Sequence, residues 1–558
     1  MKFFNNIAMS SVAALCAGLL AVGCNDDTKY DDPSGETFIY EIAVGNGGFT
    51  GADIITGTID EDAKTIEFTI PAETDIEAIR FNTKLSLGAK LDRDTYDATT
   101  GAADVTVVNN LNSTVYHAVF TMLAAKETPI VRSIQCYDDK GELRTGFVSD
   151  VTGTVYLNCE GSATATVESV NLLPRRTQYT FTEAVSGKLS ADNPGKIELD
   201  FMGFKASYDI SFAGVPTFGA DFTEPQIFDY SAQTTIWSDF AAENTRWSKF
   251  DGENLLVVSR EGGTHPSILK WDEIKSGSPV SHDLDKTGIS GGTFEVSAGG
   301  LSGGHIYVCN LSTGLSEAAP LKVYHWSDEN AVCETILEFA GSEAVKGRWG
   351  DNMSVTLDEQ GNGWFWFVDH ASGASIVRFR VDNFTTVTPE PEVFAAPYSV
   401  AYYGTLNALE EDPETYVLTS TYQRAILLVK AVNGNLEVVN RIEAKEGSDY
   451  PGVGETDARV INYNGERYLI TSSCYGFPHK APQVLHVYDI SAGMNTVMAF
   501  SEYNDGDHPQ LWEYTYGGSN CSAFSANTGA AVGPDGTLRL MAASPKAGFV
   551  CIEVPKKR

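Results

Sequence analysis

Residues 358–369 read DEQGNGWFWFVD, and SIVRFRV follows at 375–381. A turn of Asp, Gly and Asn runs straight into an unbroken apolar strand. Gly and Asn tolerate the positive φ of a tight hairpin, so the two segments read as paired strands. The same pattern recurs downstream and upstream. Strongly apolar strands begin at Leu255, His305, Trp364, Tyr416, Tyr468 and Leu538, each with a partner strand after it. FDGEN, NYNGER and GPDGT supply turns of the same kind. The starts are spaced by 50, 59, 52, 52 and 70 residues. A multi-stranded unit repeated at about fifty residues points to a β-propeller, the uneven spacing being insertions on one face. A β-helix coil is much shorter, and a long β-sandwich is the other alternative. Six units are visible between residues 221 and 558. IFDYSAQTTIWSDF at 227–240, joined to the C-terminus, offers a seventh that would close the ring.

Two further β modules are expected before the ring. TFIYEIAV, KTIEFTIP, AIRFNTKLSL and TVYHAVFTML alternate apolar and polar residues within 37–126,. PIVRSIQCYD, TGTVYLNC, ATVESVNLL, KIELDFMGF and KASYDISFAG do so within 127–220, with Pro129 after a polar break marking the boundary,. The first module, through IITGTIDEDAKTIEFTIPAETDIEAIRFNTKLSLGAKL, resembles the immunoglobulin-like modules that begin many Bacteroidetes surface lipoproteins. The expected fold is therefore all-β: N-terminal immunoglobulin-like β-sandwich modules followed by a six- or seven-bladed β-propeller.

The N-terminus carries an address. Lys2 precedes a short, interrupted apolar run from Ile7 to Gly23, which reads as a signal peptide over residues 1–23,. Leu20-Ala21-Val22-Gly23-Cys24 resembles the bacterial lipobox, which implies cleavage before Cys24 and lipid on that residue. Residues 24–36, with Asp26, Asp27, Asp31 and Asp32, form a solvated tether,. It also resembles the acidic signal that sends Bacteroidetes lipoproteins to the outer face of the outer membrane. Lipid on one residue anchors a chain without a spanning segment.

Bulk composition narrows the partners. The 558 residues are 42% hydrophobic and 11% aromatic, values of a globular chain,. The formal net charge is −35, and Lys2 is the only charge in residues 1–23. Such acidity argues against nucleic acid, whose phosphates call for a basic surface. Of nine Cys, seven remain after Cys16 and Cys24; they are scattered, and no CxxC metal spacing occurs,. Cys136 with Cys159, or Cys309 with Cys333, could pair if neighbouring strands bring them together.

Candidate ligand contacts come from a second recurrence. Arg246-Trp247, Arg348-Trp349 and Arg459 each precede or open a hairpin strand. At the starts of innermost strands they would face the axial mouth of a propeller. Aromatic faces stack on the C–H face of a pyranose, and Arg offers a planar fork to hydroxyls or a uronate carboxylate. The structural alternative is Trp wedged between blades and Arg tying blade edges. Tyr403, Tyr475, His479 and Trp512 complete the expected glycan contacts, whereas Trp364 and Trp366 read as core. Catalytic signals are poor. HExxH, P-loop and GxGxxG motifs are absent,. With 74 Asp plus Glu, carboxylate pairs are uninformative. Asp351 and Asp457, near the Arg positions, are the best candidates, and Asp369-His370 is a possible base. No metal or cofactor is expected.

Lipobox, acidic tether, β modules and a large terminal β domain together resemble the surface glycan-binding lipoproteins of Bacteroidetes polysaccharide-utilisation systems, of the starch-utilisation type. The resemblance rests on motif in the first fifth of the chain and on architecture thereafter. It implies noncatalytic capture of an extracellular oligo- or polysaccharide. It also implies partnership with an outer-membrane transporter and its lid lipoprotein, with attachment to the membrane by the lipid alone. The alternatives are a cell-surface propeller glycoside hydrolase or polysaccharide lyase, and a protein-interaction or adhesion module.

Overall fold

Two-residue turns with both φ values positive close the hairpins at Gly303-Gly304 (58° and 82°), Asn433-Gly434 (50° and 79°) and Asn464-Gly465 (46° and 78°). Their twist matches that of the strands they join. The computed structural model describes residues 35–45, 55–70, 74–122, 128–174, 177–370, 374–397, 403–421, 425–443, 455–473, 482–505, 509–517 and 525–558. Cys24, Tyr475 and His479 lie outside them.

The chain divides into two units, the first made of Met1–Lys126 with Pro174–Arg176. That unit holds two sheets. Ile39–Val44 lies between Ile55–Thr56 and Phe81–Leu85. Thr58–Asp60, Thr65–Ile70, Asn112–Met122, Ala102–Asn109 and Lys90–Leu91 follow one another across the second sheet. Apolar residues at alternate positions, among them Ile42, Ile66, Phe68, Val105 and Phe120, share one core. Phe68 and Phe120 stack with centroids 5.1 Å apart.

The second unit contains an eight-stranded curled sheet and a ring. The curled sheet spans Ile130–Asp138 to Phe204–Ser211 and closes over Ile134, Val155, Ile197 and Tyr208. Its expected boundary with the ring near residue 220 is a packed junction. Arg132 forks onto Glu502 at 2.7 Å to both carboxylate oxygens, and the Gly493 N–H donates to Asp150 at 2.8 Å.

Among the described residues, six four-stranded antiparallel sheets build the ring, one of them with an added fifth strand, Glu392–Ala395. Their leading strands are Thr245–Phe250, Phe294–Ser302, Ser354–Leu357, Thr405–Ala408, Glu455–Tyr463 and Asn527–Val532. These touch in cyclic order, and the sixth returns to the first, which makes the arrangement propeller-like. Close approach needs small residues: a Cβ on Gly300 would lie 2.6 Å from Val355 of the next leading strand. All six apolar strands found in the sequence are the second strands of their sheets. The expected seventh unit does not form among the described residues. Gln226–Ser231 instead pairs with Gly548–Val554 and becomes the outermost strand of the sixth sheet.

Candidate functional site

A buried ion pair ties the leading strands together at the axis of the ring. Lys249 Nζ, from the first leading strand, lies 2.8 Å from Asp457 Oδ2 on the fifth. Asp457 also accepts from Thr405 Oγ1 at 3.0 Å, Asn407 Nδ2 at 2.7 Å and the Thr528 N–H at 2.9 Å. One carboxylate thus ties four of the six leading strands. The two partners respond unequally. Burial dominates at Lys249 and pushes it down to about 8. Burial would raise Asp457, but Lys249 and Arg459 outweigh it and hold the carboxyl at about 2.

A second cluster sits at the leading ends of these strands. Arg348 grips Asp351 with Nε to Oδ2 at 2.6 Å and Nη2 to Oδ1 at 2.7 Å. Arg260 Nη2 reaches Asp351 Oδ1 at 3.1 Å and Ser297 Oγ at 2.8 Å. His370 Nδ1 is 3.5 Å from Asp351 Oδ2, and its ring meets Tyr403 edge-on at 5.3 Å. Arg246 reaches across the ring from the first leading strand and donates to Tyr403 Oη at 2.7 Å. Burial alone would raise Asp351; Arg348, Arg260 and His370 bring it below the ordinary carboxylate range. Burial pushes His370 down to about 4.

The trailing ends of the leading strands open into a cleft of about 840 Å³. Trp364, Arg380, Asn407, Glu410, Arg459 and Asn462 are on its walls. Trp364 is half-buried, with the Arg378 guanidinium 3.6 Å from the ring centroid and Arg380 at 5.3 Å. Cross-strand register causes this: Trp364 faces Arg380 and Trp366 faces Arg378. The Arg459 Nε donates to the Thr528 carbonyl at 2.9 Å.

The expected contacts are therefore split between places. Trp247 and Trp349 are each 1% exposed, so neither offers a face to a sugar. Trp247 wedges between sheets and donates to the Gly299 carbonyl at 2.7 Å; the Trp349 indole donates to the Lys346 carbonyl at 2.9 Å. Tyr403 is 2% exposed and presents its hydroxyl to Arg246. Trp512 belongs to the outermost strand of the fifth sheet, against Phe222 and far from the axis in its sheet. Arg246 and Arg348 stand at the leading end, whereas Arg459 faces the trailing cleft. Trp364, read from the sequence as core, lines that cleft. Its signal was present in the Arg-x-Arg of the partner strand, but only register shows it.

The carboxylates suggested for catalysis do not suit that role. Asp351 and Asp457 are fully buried and held ionised, whereas a general acid needs a raised pKa and access to substrate. His370 is buried as well. Gly288-Ile289-Ser290-Gly291-Gly292 and Gly300-Leu301-Ser302-Gly303-Gly304 fit GxSxG spacing. The second spans a strand-to-strand hairpin and the first a loop before a strand, not the strand-to-helix elbow that exposes a nucleophile,. No group of three potential metal ligands occurs among the described residues.

A family model described as a domain of unknown function (DUF4623) matches residues 26–132 and 210–557. The structure of a DUF4623 family protein from Bacteroides eggerthii is similar to this chain with 25% identity and a TM-score of 0.55, covering 94% of this chain and 99% of that one. A subtype N10 neuraminidase-like protein of A/little yellow-shouldered bat/Guatemala/060/2010 shows 11% identity and a TM-score of 0.35, over 58% of this chain and 98% of that one. The GH43 β-1,3-galactosidase BT3683 shows 12% identity and a TM-score of 0.28, over 50% and 92%. Likenesses as distant as these two carry no argument about chemistry. No curated protein matches the chain.

Proposed function

The chain belongs to the DUF4623 family, whose function is unknown, and from that premise we propose that it is a lipid-anchored protein that captures an extracellular saccharide without cleaving it. The observation that carries this reading is the trailing-end cleft. A half-buried Trp364 shares its walls with Arg380, Arg459 and the side-chain amide of Asn462. A flat aromatic with neighbouring forked and amide donors is the chemistry that holds a pyranose: the ring stacks on C–H bonds while donors take hydroxyls. Lipid on Cys24 would place the protein at the outer membrane, facing outward along its acidic tether. The module at 37–126 would serve as an immunoglobulin-like spacer. Captured glycan would pass to a transporter and its lid lipoprotein.

The test uses residues 25–558 in native gels cast with plant, host and microbial polysaccharides. Retardation by one glycan class, lost in Trp364→Ala with unchanged melting, is expected. Retardation that Trp364→Ala leaves intact would remove the cleft from the reading. One observation favours a second reading, hydrolysis or elimination: Glu359, Glu410 and Glu414 also line the cleft. Release of oligosaccharide, abolished by Glu410→Gln, would establish it.

A further inference from the structure

Three guanidiniums, those of Arg246, Arg260 and Arg348, gather at the leading-end mouth. Arg260 and Arg348 share one carboxylate, Asp351. Arg260 is almost wholly buried, with 2% of its side chain exposed, while Arg348 retains 34%. Arg246 joins this group through Tyr403 and His370. Its bonds go to the Glu243 carbonyl at 3.1 Å and the Tyr403 hydroxyl at 2.7 Å, both uncharged acceptors. Among the described residues no carboxylate lies within ion-pair distance of Arg246. This happens in a chain of net charge −35, where acidic partners are abundant.

Cations gathered in a partly desolvated site are costly unless an anion compensates them. A guanidinium presents two parallel N–H groups that match the oxygens of a carboxylate or sulfate. His370 reports the local potential: burial lowers its pKa most, Asp351 opposes, and Arg348, Arg260 and Arg246 push it down further.

We propose that the mouth at the leading ends binds an oxyanion carried on a saccharide, a uronate carboxylate or a sulfate ester, with Arg246 as the first contact and Arg348 as the second. The site is separate from the Trp364 cleft, at the other end of the same strands. That it binds an oxyanion stands on its own; that a saccharide carries the oxyanion rests on the proposed function.

The experiment is calorimetric titration of residues 25–558 with four probes: trigalacturonate, a chondroitin sulfate disaccharide, sodium sulfate and neutral cellotriose. Binding of at least one acidic saccharide at low salt is expected, weakening at least tenfold in Arg246→Gln and partly kept in Arg246→Lys. It should weaken further as sodium chloride rises, because partly exposed charges are screened. Trp364→Ala should leave this binding in place. Melting of Arg246→Gln close to the parent excludes misfolding as the cause. Arg246-dependent binding of sulfate without any saccharide would keep the oxyanion site and overturn its saccharide ligand. Affinity unchanged by Arg246→Gln, or no binding of any anionic probe at low salt, would overturn the proposal.

Discussion

Replacing Asp457 by Asn is the sharpest probe of the axial ion pair. The amide keeps one acceptor, which can still serve Asn407 and Thr405. On the other side an NH2 group replaces Oδ2, so two donors, Lys249 Nζ and the Thr528 N–H, face a third. Removing one partner of a buried ion pair costs about 3–5 kcal/mol, because the other charge is stranded. Unfolding entropy is about 2.1 cal/mol/K per residue, or roughly 0.7 kcal/mol per degree for a ring of this size. Asp457→Asn should therefore lower Tm at pH 7 by about 4–7 °C. The loss should shrink at pH 9, because an unpaired buried lysine sheds its proton at little cost. The parent should also lose stability on acidification. The Asp457 carboxyl titrates near 2 when folded and near 3.8 in its ordinary state, so its contribution of about 2 kcal/mol is complete above pH 3.8 and disappears as pH falls through about 2,. Asp457→Asn should lack that limb. Scanning calorimetry of parent and variant from pH 2 to 9 is the assay. A variant melting within 1 °C of the parent at pH 7 would refute the account.

Trp247→Ala and Trp349→Ala should each cost about 3–5 kcal/mol by opening cavities between sheets, read as a loss of soluble, cooperatively melting protein; parent-like melting of both would contradict their burial. Gly465→Ala should destabilise the ring measurably in a denaturant titration, since φ is +78° and the new Cβ would lie 2.1 Å from the Phe218 ring,; an unchanged midpoint would contradict that contact. Burial pushes His325, His370 and His486 down to about 4. Each is depressed below its ordinary 6.5, so stability is full above 6.5 and falls as pH drops toward 4; a Tm flat over that window would be the contrary result. Burial raises the thiols of Cys136, Cys309 and Cys551. Iodoacetamide at pH 8 should modify them only after denaturation, as peptide mass mapping would show.

The second strand of every sheet in the ring was legible because both its faces are covered, and so were the third strands except in the first sheet, where ILKWDEI reads as a strand but WDEIK forms a helix. Runs such as WFWFV at 364–368 and YVLT at 416–419 therefore carry no polar alternation, and their turns are Asn and Gly,. The leading strands were hidden. SVTL at 354–357 and TLNA at 405–408 are short and mixed, since strands beside an axis that holds Lys249 and Asp457 need polar and small residues. The Arg-Trp pairs were visible as pairs but not in direction. Trp247 and Trp349 turn toward the neighbouring sheets, leaving the adjacent arginines at the mouth. Of the trailing cleft, Arg459 was legible, but not Trp364, which lies in an apolar run, nor Arg380, which arrives by register from the partner strand.

The seam of the ring has a consequence for biogenesis. Gln226–Ser231 zips onto Gly548–Val554, and Asp221 N–H and Lys557 N–H make backbone bonds to Pro555 and Gly219 across the same join. The strand that receives the first segment, Gly548–Val554, is made after the other five sheets. Until it arrives, Gln226–Ser231 has no partner and Leu538–Ser544 presents an unpaired edge, and such edges invite pairing with other chains,. Closure must therefore wait for that strand, and any clipping before Gly548 leaves the ring permanently open. The ring is in effect a clasp fastened by Gly548–Val554, which makes the presence of that strand a condition for every sheet upstream of it.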